Sequence, residues 1–309
     1  MKALNSSNIE EFYKNFDNID VDKFIKDCFF ENKKEVLLRN KKYVKILLLY
    51  LNRYSLLKKL TKKKIMLNYS LYDYAKDIFN NKNEYIKLYN LLGDSLSKET
   101  LLDILKYKVT FDRTYLNNNI RPTQDQYLDS RIMNFTDEEV VVDCGAYIGD
   151  SILTYYKYVK SVAKYYALEP DLQNFNNAKR ILSYEDFKNI EFCRVATGNE
   201  NKTLKFTSSE AAGFVSDEGN NEVQIVKLDD FIKEPITFIK MDIEGSELST
   251  LQGAANQIKN NKPKLAICAY HKPDDLWNLT NEILSMRSDY KVYLRLYLST
   301  FCEAVLYFV

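Results

Sequence analysis

One short segment, residues 139–151, constrains the fold of this chain more than any other. An apolar run, Val140–Val142, leads into Asp143 and a turn with two glycines, and Ser151 follows where a helix would begin. Glycine at such a turn adopts backbone conformations that a Cβ would forbid, and it lets a ligand or a helix approach closely. The segment therefore predicts the first strand, glycine turn and helix start of a nucleotide-binding α/β fold.

The spacing of Gly145 and Gly149, and the acid before them, narrow the class of ligand. The motif is GxxxG rather than the GxGxxG of pyrophosphate binders, and no P-loop Lys-Ser/Thr pair follows. A carboxylate at Asp143 would repel a pyrophosphate and attract a ligand with an ammonium and a sulfonium, as in S-adenosylmethionine. Ser151 is placed to bind that ligand's carboxylate. Glu169, about twenty residues after Gly149, is placed to accept hydrogen bonds from its ribose hydroxyls.

Short β-branched runs alternate with helical segments beyond residue 117. Strands that alternate with helices indicate a parallel sheet with crossover helices. The runs that we interpret as its strands are Val140–Val142, Tyr165–Leu168, Ile190–Val195, Thr237–Met241 and Lys264–Ala269.

Two further pairs of alternating runs depart from the parallel pattern. Lys202–Thr207 and Glu222–Val226 are predicted to form an extra hairpin around a polar loop. Tyr290–Leu298 and Phe301–Val309 are joined by a turn too short for a helix, so they are predicted to be antiparallel neighbours. A mostly parallel sheet with a C-terminal antiparallel hairpin is typical of the Rossmann-like class I methyltransferase fold.

The first 110 residues have a different character, because their apolar residues recur at spacings of three and four, which predicts helices. Ser97, followed by Glu99 and an apolar run, predicts a capped helix of about ten residues. Turn residues near Asn117 end the helical pattern. We therefore predict an α-helical N-terminal region over residues 1–110 and a Rossmann-like domain over residues 111–309.

The N-terminal region contains a strongly basic stretch. Twelve Lys and Arg residues lie between Lys33 and Lys64, against one acid, Glu35. We interpret this stretch as a solvated helical surface, with a site for an anionic glycan, a lipid headgroup or a nucleic acid as the alternative. For the chain as a whole we expect no nucleic-acid partner, and the sequence leaves the oligomeric state open.

The cysteines and the apolar runs bear on the compartment. Five cysteines are scattered singly without a CxxC pair, which is typical of a reducing compartment. The chain starts without a signal-peptide pattern, and its longest apolar run, Ile46–Leu51, is far too short to cross a bilayer. We expect a cytoplasmic protein.

Four stretches of the chain carry a family resemblance: Val142–Ser151, Leu168–Asp171, Ile239–Leu248 and Tyr270–Trp277. Together they resemble the FkbM family of S-adenosylmethionine-dependent methyltransferases, which methylate hydroxyls of sugars and natural products. The second and third stretches are the distinctive ones. The resemblance covers roughly residues 110–309, and it departs at Leu296, where the family often has histidine.

The resemblance implies an S-adenosylmethionine cofactor and a reaction centre built from three residues. His271, the only histidine of the chain, would be the general base, with Asp242 as the alternative base and Glu244 orienting the acceptor. The residues that it implies for the cofactor site are Gln126, Asp143, Gly145, Ala146, Gly149, Ser151, Glu169, Asp171, Ala196 and Asp242.

The function that these observations favour is methyl transfer from S-adenosylmethionine to a hydroxyl of a sugar or glycan-related acceptor. A nicotinamide-dependent oxidoreductase and a non-catalytic module that binds a glycan or a protein are the alternatives. No metal site is predicted, since one histidine and unpaired cysteines do not suit zinc. A divalent metal at Asp242 and Glu244 stays open.

Overall fold

The computed structural model describes residues 4, 6–28, 71–183, 187–207, 214–215, 221–298 and 303–309. The basic stretch between Lys33 and Lys64 lies outside the described residues. Two compact units are present. The first takes its described residues from Met1–Ile120, Tyr270–Trp277 and Leu294–Glu303, and the second from Arg121–Ala269, Asn278–Tyr293 and Ala304–Val309.

The first unit is mainly helical. Its helices are α1 (Ile9–Lys14), the helical residues 21–28, α2 (Leu71–Asn80), α3 (Lys82–Leu91) and α4 (Ser95–Thr110). T-shaped ring contacts, with centroids 4.9 to 6.4 Å apart, join Tyr13 of α1, and Phe16 in the turn after it, to Phe79 of α2. None of the helices described in either unit is long and apolar enough to cross a membrane.

Helix α4 is longer than the sequence pattern predicts. The predicted helix of about ten residues, capped at Ser97, was wrong in its start and its length. Asp94 is the cap, since its side chain accepts a hydrogen bond from the Ser97 backbone N–H at 2.7 Å, and the helix runs for 16 residues. Its last turns contain buried lysines, Lys106 and Lys108, which mask the apolar periodicity.

The second unit contains most of a seven-stranded sheet. Its strands are β1 (Val140–Cys144), β2 (Lys164–Leu168), β3 (Ile190–Cys193), β8 (Phe238–Met241), β9 (Lys264–Cys268), β10 (Val292–Leu296) and β11 (Ala304–Phe308). They lie side by side in the order β10-β11-β9-β8-β1-β2-β3. Strands β3, β2, β1, β8 and β9 are parallel, and β11 runs antiparallel to β9. Reciprocal bonds between Lys291 and Val309 make β10 and β11 antiparallel. The predicted antiparallel pairing of the two C-terminal strands is confirmed.

The sheet is buried on both faces, as parallel sheets with crossover helices are. Val141, Val142 and Ile239 have no exposed surface. The helices that follow the strands are α5 (Asp150–Val159), α6 (Leu172–Leu182), α7 (Leu228–Phe231), α8 (Glu247–Gly253), α9 (Ala255–Asn261) and α10 (Asp275–Met286).

A second, four-stranded sheet has the order β4-β7-β5-β6. It consists of β4 (Val195–Thr197), β5 (Lys202–Thr207), β6 (Phe214–Val215) and β7 (Asn221–Val226). The predicted hairpin is confirmed as the antiparallel pair β5 and β7. The single strand predicted over Ile190–Val195 was wrong, because the chain changes partner at Arg194: β3 pairs with β2, and β4 pairs with β7.

Candidate active site

The first glycine turn lies at the carboxyl ends of three strands. Gly145 has a φ of +81°, and its N–H and that of Ala146 both donate to the Leu168 carbonyl oxygen at 3.0 Å. A Cβ on Gly145 would lie 2.0 Å from the carbonyl oxygen of Asp242. The turn after β1 therefore bonds to the end of β2 and touches the backbone after β8, which only glycine permits.

Gly149 closes the turn and is the N-cap residue of α5. Its φ is +89°, and a Cβ there would lie 2.8 Å from Cδ1 of Leu182 on α6. This glycine therefore allows close packing of the turn against the following helix, a different use from that of Gly145.

Asp143 is fully buried, and its charge is compensated within the protein. Its Oδ1 lies 3.0 Å from Nζ of Lys240, its cross-strand partner on β8. Its Oδ2 accepts hydrogen bonds from the hydroxyls of Tyr165 at 3.0 Å and Ser151 at 2.5 Å. Burial alone would lower the pKa of Lys240, but the Asp143 and Asp242 carboxylates together outweigh burial and raise it.

These contacts correct two steps of the sequence argument. The sequence predicts that the Asp143 carboxylate attracts a cationic ligand, whereas in the structure Lys240 already neutralises it. The sequence predicts that Ser151 hydrogen-bonds the ligand's carboxylate, whereas in the structure its hydroxyl donates to Asp143. Both residues therefore hold the glycine turn, and a direct contact of either with a cofactor stays a prediction.

Lys240 is a site residue that sequence reasoning missed. Its Nζ donates to the carbonyl oxygen of Gly145 at 2.7 Å and lies 5.1 Å from the ring centroid of Tyr127, a cation–π distance. Lys240 thus ties β8 to the turn after β1. The signal was available, because a charge inside a buried strand needs a partner and Asp143 occupies the equivalent position on β1.

Glu169 follows β2 directly and is 7% exposed. One carboxylate oxygen accepts from the backbone N–H of Tyr147 and the other from that of Asp171, both at 2.9 Å. Burial raises the pKa of Glu169 to about 7, against these hydrogen bonds, which lower it. Tyr147 has a φ of +47°, so a strained residue presents its N–H to this carboxylate.

The remaining residues predicted for the cofactor site lie in the second unit. Asp171 caps α6 by accepting from the backbone N–H of Asn174 at 2.9 Å, and it is buried. Ala196 lies on β4 opposite Ile225 of β7. Their part in binding stays a prediction.

Asp242 follows β8 and is held by Tyr127, which with Gln126 forms the segment that the family resemblance places over the cofactor. The Tyr127 hydroxyl donates to Oδ2 of Asp242 at 3.0 Å, and Nε2 of Gln126 donates to the Tyr127 oxygen at 3.1 Å. Tyr127 has a φ of +67°, and its backbone N–H donates to the hydroxyl of Tyr307 on β11. The segment before β1 is thereby fixed over the strand ends.

A cavity of about 70 Å³ lies beside these residues, between the segment before β1, α5 and one face of the sheet. Gln126, Ser151 and Lys240 contribute polar groups to its wall. The hydroxyl of Tyr155, which also lines it, is buried and has no hydrogen-bond partner in the described structure. Gln126 and Ser151, two of the predicted cofactor residues, therefore line the same cavity.

Glu244 lies in an exposed turn after β8. Its φ is +56° and that of Gly245 is +96°. A non-glycine residue in this region costs about 1 to 3 kcal/mol. Oε1 of Glu247 accepts a hydrogen bond from the Ile243 N–H at 3.0 Å and stabilises the turn.

His271 belongs to the first unit, whereas Asp242 and Glu244 belong to the second. Its ring lies obliquely on that of Tyr270, with the centroids 4.1 Å apart. Leu296, where the resembling family often has histidine, is a buried residue of β10. The assignment of His271 as general base stays a prediction.

Comparisons with known proteins show which families and solved structures this chain is similar to. Residues 143–292 match the methyltransferase FkbM domain. Methyltransferase FkbM from Methylobacillus flagellatus KT is 34% identical, with a TM-score of 0.70; the match covers 77% of this chain and 61% of that one. An rRNA methylase from Streptococcus thermophilus is 19% identical, with a TM-score of 0.38, and the match covers 61% of this chain and 95% of that one. No curated protein sequence matches the chain.

The sheet order, the antiparallel β11 and the glycine turn after β1 define a Rossmann-like class I methyltransferase fold, for which S-adenosylmethionine is the cofactor. More narrowly, the chain carries a methyltransferase domain of the FkbM family. It spans about three fifths of the length of the relative from Methylobacillus flagellatus.

Proposed function

We propose that the protein transfers a methyl group from S-adenosylmethionine to a hydroxyl oxygen of a sugar or glycan-linked acceptor. The observation that carries the proposal is the pair of carboxylates after β8, Asp242 half-buried and Glu244 exposed. Ionised carboxylates accept hydrogen bonds from hydroxyls and suit a polyhydroxylated acceptor. The proposed setting is the cytoplasm, which keeps thiols such as that of Cys144 reduced.

The residues after β1 and β2 fit this cofactor. Gly145 lacks a Cβ where one would collide with the Asp242 backbone, so the turn can lie against the end of β8, at the carboxyl ends of the strands where ligands bind in this fold. The Glu169 carboxylate is fixed by two backbone N–H groups and keeps lone pairs for ribose hydroxyls. When bound, the cofactor supplies an electrophilic methyl group on a sulfonium.

The protein's own groups would then position and deprotonate the acceptor. Alignment of the acceptor oxygen can contribute about 7 to 11 kcal/mol. Proton removal by His271 adds about 10²- to 10⁴-fold, with Asp242, held by Tyr127, as the alternative base. Glu244 orients the acceptor through hydrogen bonds to its hydroxyls.

Two matched variants test the base. His271→Ala is expected to lower turnover by about 10²- to 10⁴-fold while the calorimetric affinity for S-adenosylhomocysteine stays the same. Asp242→Asn, assayed in parallel, separates the two bases: full turnover in His271→Ala, together with lost turnover but unchanged affinity for S-adenosylhomocysteine in Asp242→Asn, assigns the proton to Asp242. Activity in excess chelator excludes a divalent metal at Asp242 and Glu244.

The acceptor is tested in cells. Mass spectrometry of surface and flagellar glycans, from strains with and without the gene, is expected to show one methyl group lost from a sugar hydroxyl in the deletion strain. Tight cofactor binding with no change in any glycan would contradict a sugar acceptor.

A further inference from the structure

The segment Tyr270–Trp277, which contains His271, is held by helices of its own unit. Tyr74 on α2 lies with its hydroxyl 2.8 Å from the carbonyl oxygen of Tyr270 and 2.9 Å from that of His271. The one hydroxyl hydrogen is therefore shared between two successive carbonyls. Tyr74 itself is buried, with 1% of its surface exposed, so its hydroxyl is held inside the helical unit.

A second group of contacts fixes the rest of the segment. The Tyr85 hydroxyl lies 2.7 Å from Oδ2 of Asp77 and 3.3 Å from the carbonyl oxygen of Pro273. The indole N–H of Trp277 donates to the same Asp77 oxygen at 3.2 Å. The Asn81 amide donates to the other oxygen of Asp77 at 2.6 Å. Asp77 thus links two helical side chains to the end of the segment.

The carbonyl contact of Tyr74 acts on the direction of the His271 side chain. Fixing the peptide groups on both sides of residue 271 restricts its φ and ψ, and therefore the direction of its Cα–Cβ bond. A general base must lie within hydrogen-bond reach of the proton that it removes. Displacement of a catalytic group by about 1 Å can cost on the order of 10²-fold in rate.

We propose that Tyr74 is a positioning residue: its hydroxyl holds the backbone of His271 and thereby aims the imidazole. The proposal rests on the proposed function, in which His271 takes the acceptor's proton. It gives the N-terminal helices a part in the reaction without any contact between them and the substrate.

The single histidine of the chain provides a direct readout, since a histidine-labelled sample gives one set of imidazole NMR signals. Tyr74→Phe keeps the buried ring and removes only the hydroxyl. It is expected to shift and broaden the His271 signals and to lower kcat about 10-fold, while the KM for S-adenosylmethionine and the Tm stay near wild type. Tyr89→Phe, a half-buried tyrosine of α3, is the matched control and should change neither signals nor kcat.

Wild-type His271 signals in folded Tyr74→Phe would overturn the proposal. If Tyr74→Phe does not fold, Tyr85→Phe is the second test, because it removes the hydroxyl that donates to the Pro273 carbonyl. A smaller shift of the His271 signals in the same direction is expected. Unchanged His271 signals in Tyr85→Phe would overturn the proposal. Changed signals in a protein that transfers no methyl group would support the positioning contact and contradict the proposed function. Methyl transfer that needs His271 but is unaltered in folded Tyr74→Phe would support the proposed function and overturn the positioning role of Tyr74.

Discussion

Glu169 has a buried carboxylate at the end of β2, and burial raises its pKa to about 7. Only the ionised form offers all its lone pairs to ribose hydroxyls, so a bound nucleoside favours the ionised form and lowers the pKa. By linkage, affinity falls as pH decreases through the pKa of the free protein. We expect S-adenosylhomocysteine to bind about 10-fold more weakly at about pH 6 than at about pH 8, measured by calorimetry.

Glu169→Gln provides the control for this pH dependence, because glutamine does not titrate. The variant should bind more weakly than the wild type at about pH 8, with a flat profile between the two pH values. A flat profile in the wild type would show that Glu169 does not contact the ligand.

Lys240 and Asp143 form an ion pair with 5% and 0% residue exposure. Removing one partner leaves an uncompensated buried charge, so Lys240→Met should lower the free energy of unfolding by about 3 to 5 kcal/mol in urea titrations. The double variant with Asp143→Asn should recover most of that loss. Lys202→Met, which breaks an exposed pair with Glu200, should cost less than about 1 kcal/mol. Equal losses in the two single variants would contradict the account.

At the scale of elements, the turn after β1 depends on Gly145. Gly145→Ala places a Cβ 2.0 Å from the Asp242 carbonyl oxygen at a φ of +81°, so the backbone after β8 must move. We expect more than about 10-fold weaker binding of S-adenosylhomocysteine by calorimetry. Gly93→Ala, in the exposed link between α3 and α4, should bind like the wild type. Unchanged binding in Gly145→Ala would remove the turn from the cofactor site.

The elements that follow from local pattern are those that the sequence predicts well. The strand and glycine turn around Asp143, and the C-terminal antiparallel pair, have strong short-range signals. The break at Arg194 has none, because β3 and β4 differ only in the partners that they find far along the chain. The early start of α4 depends on Asp94, which also pairs with Arg295, about two hundred residues away in sequence.

The same limit applies to the site. The predicted carboxylates and glycines were read from motifs at strand ends, where ligands bind in this fold. The ion pair of Lys240 with Asp143 and the contact of Tyr127 with Asp242 were missed because each depends on a partner on another element. Local pattern identifies which residues can react, and tertiary contacts decide which charges remain available to a ligand.

At the scale of the whole molecule, the chain does not divide at a single point. Tyr270–Trp277 and Leu294–Glu303 belong with the N-terminal helices, anchored by contacts such as the 2.6 Å ion pair between Arg295 and Asp94. A truncated chain that begins at residue 111 would lack Tyr74, Tyr85 and Asp94, which hold these segments. Function should therefore be measured on the full chain.

The central proposal is that this chain is an S-adenosylmethionine-dependent methyltransferase. Calorimetric titration with S-adenosylhomocysteine, and separately with NAD, tests it most directly. The account predicts that one molecule of S-adenosylhomocysteine binds per chain and that NAD does not bind. Binding of NAD without binding of S-adenosylhomocysteine, or binding of neither, would contradict it.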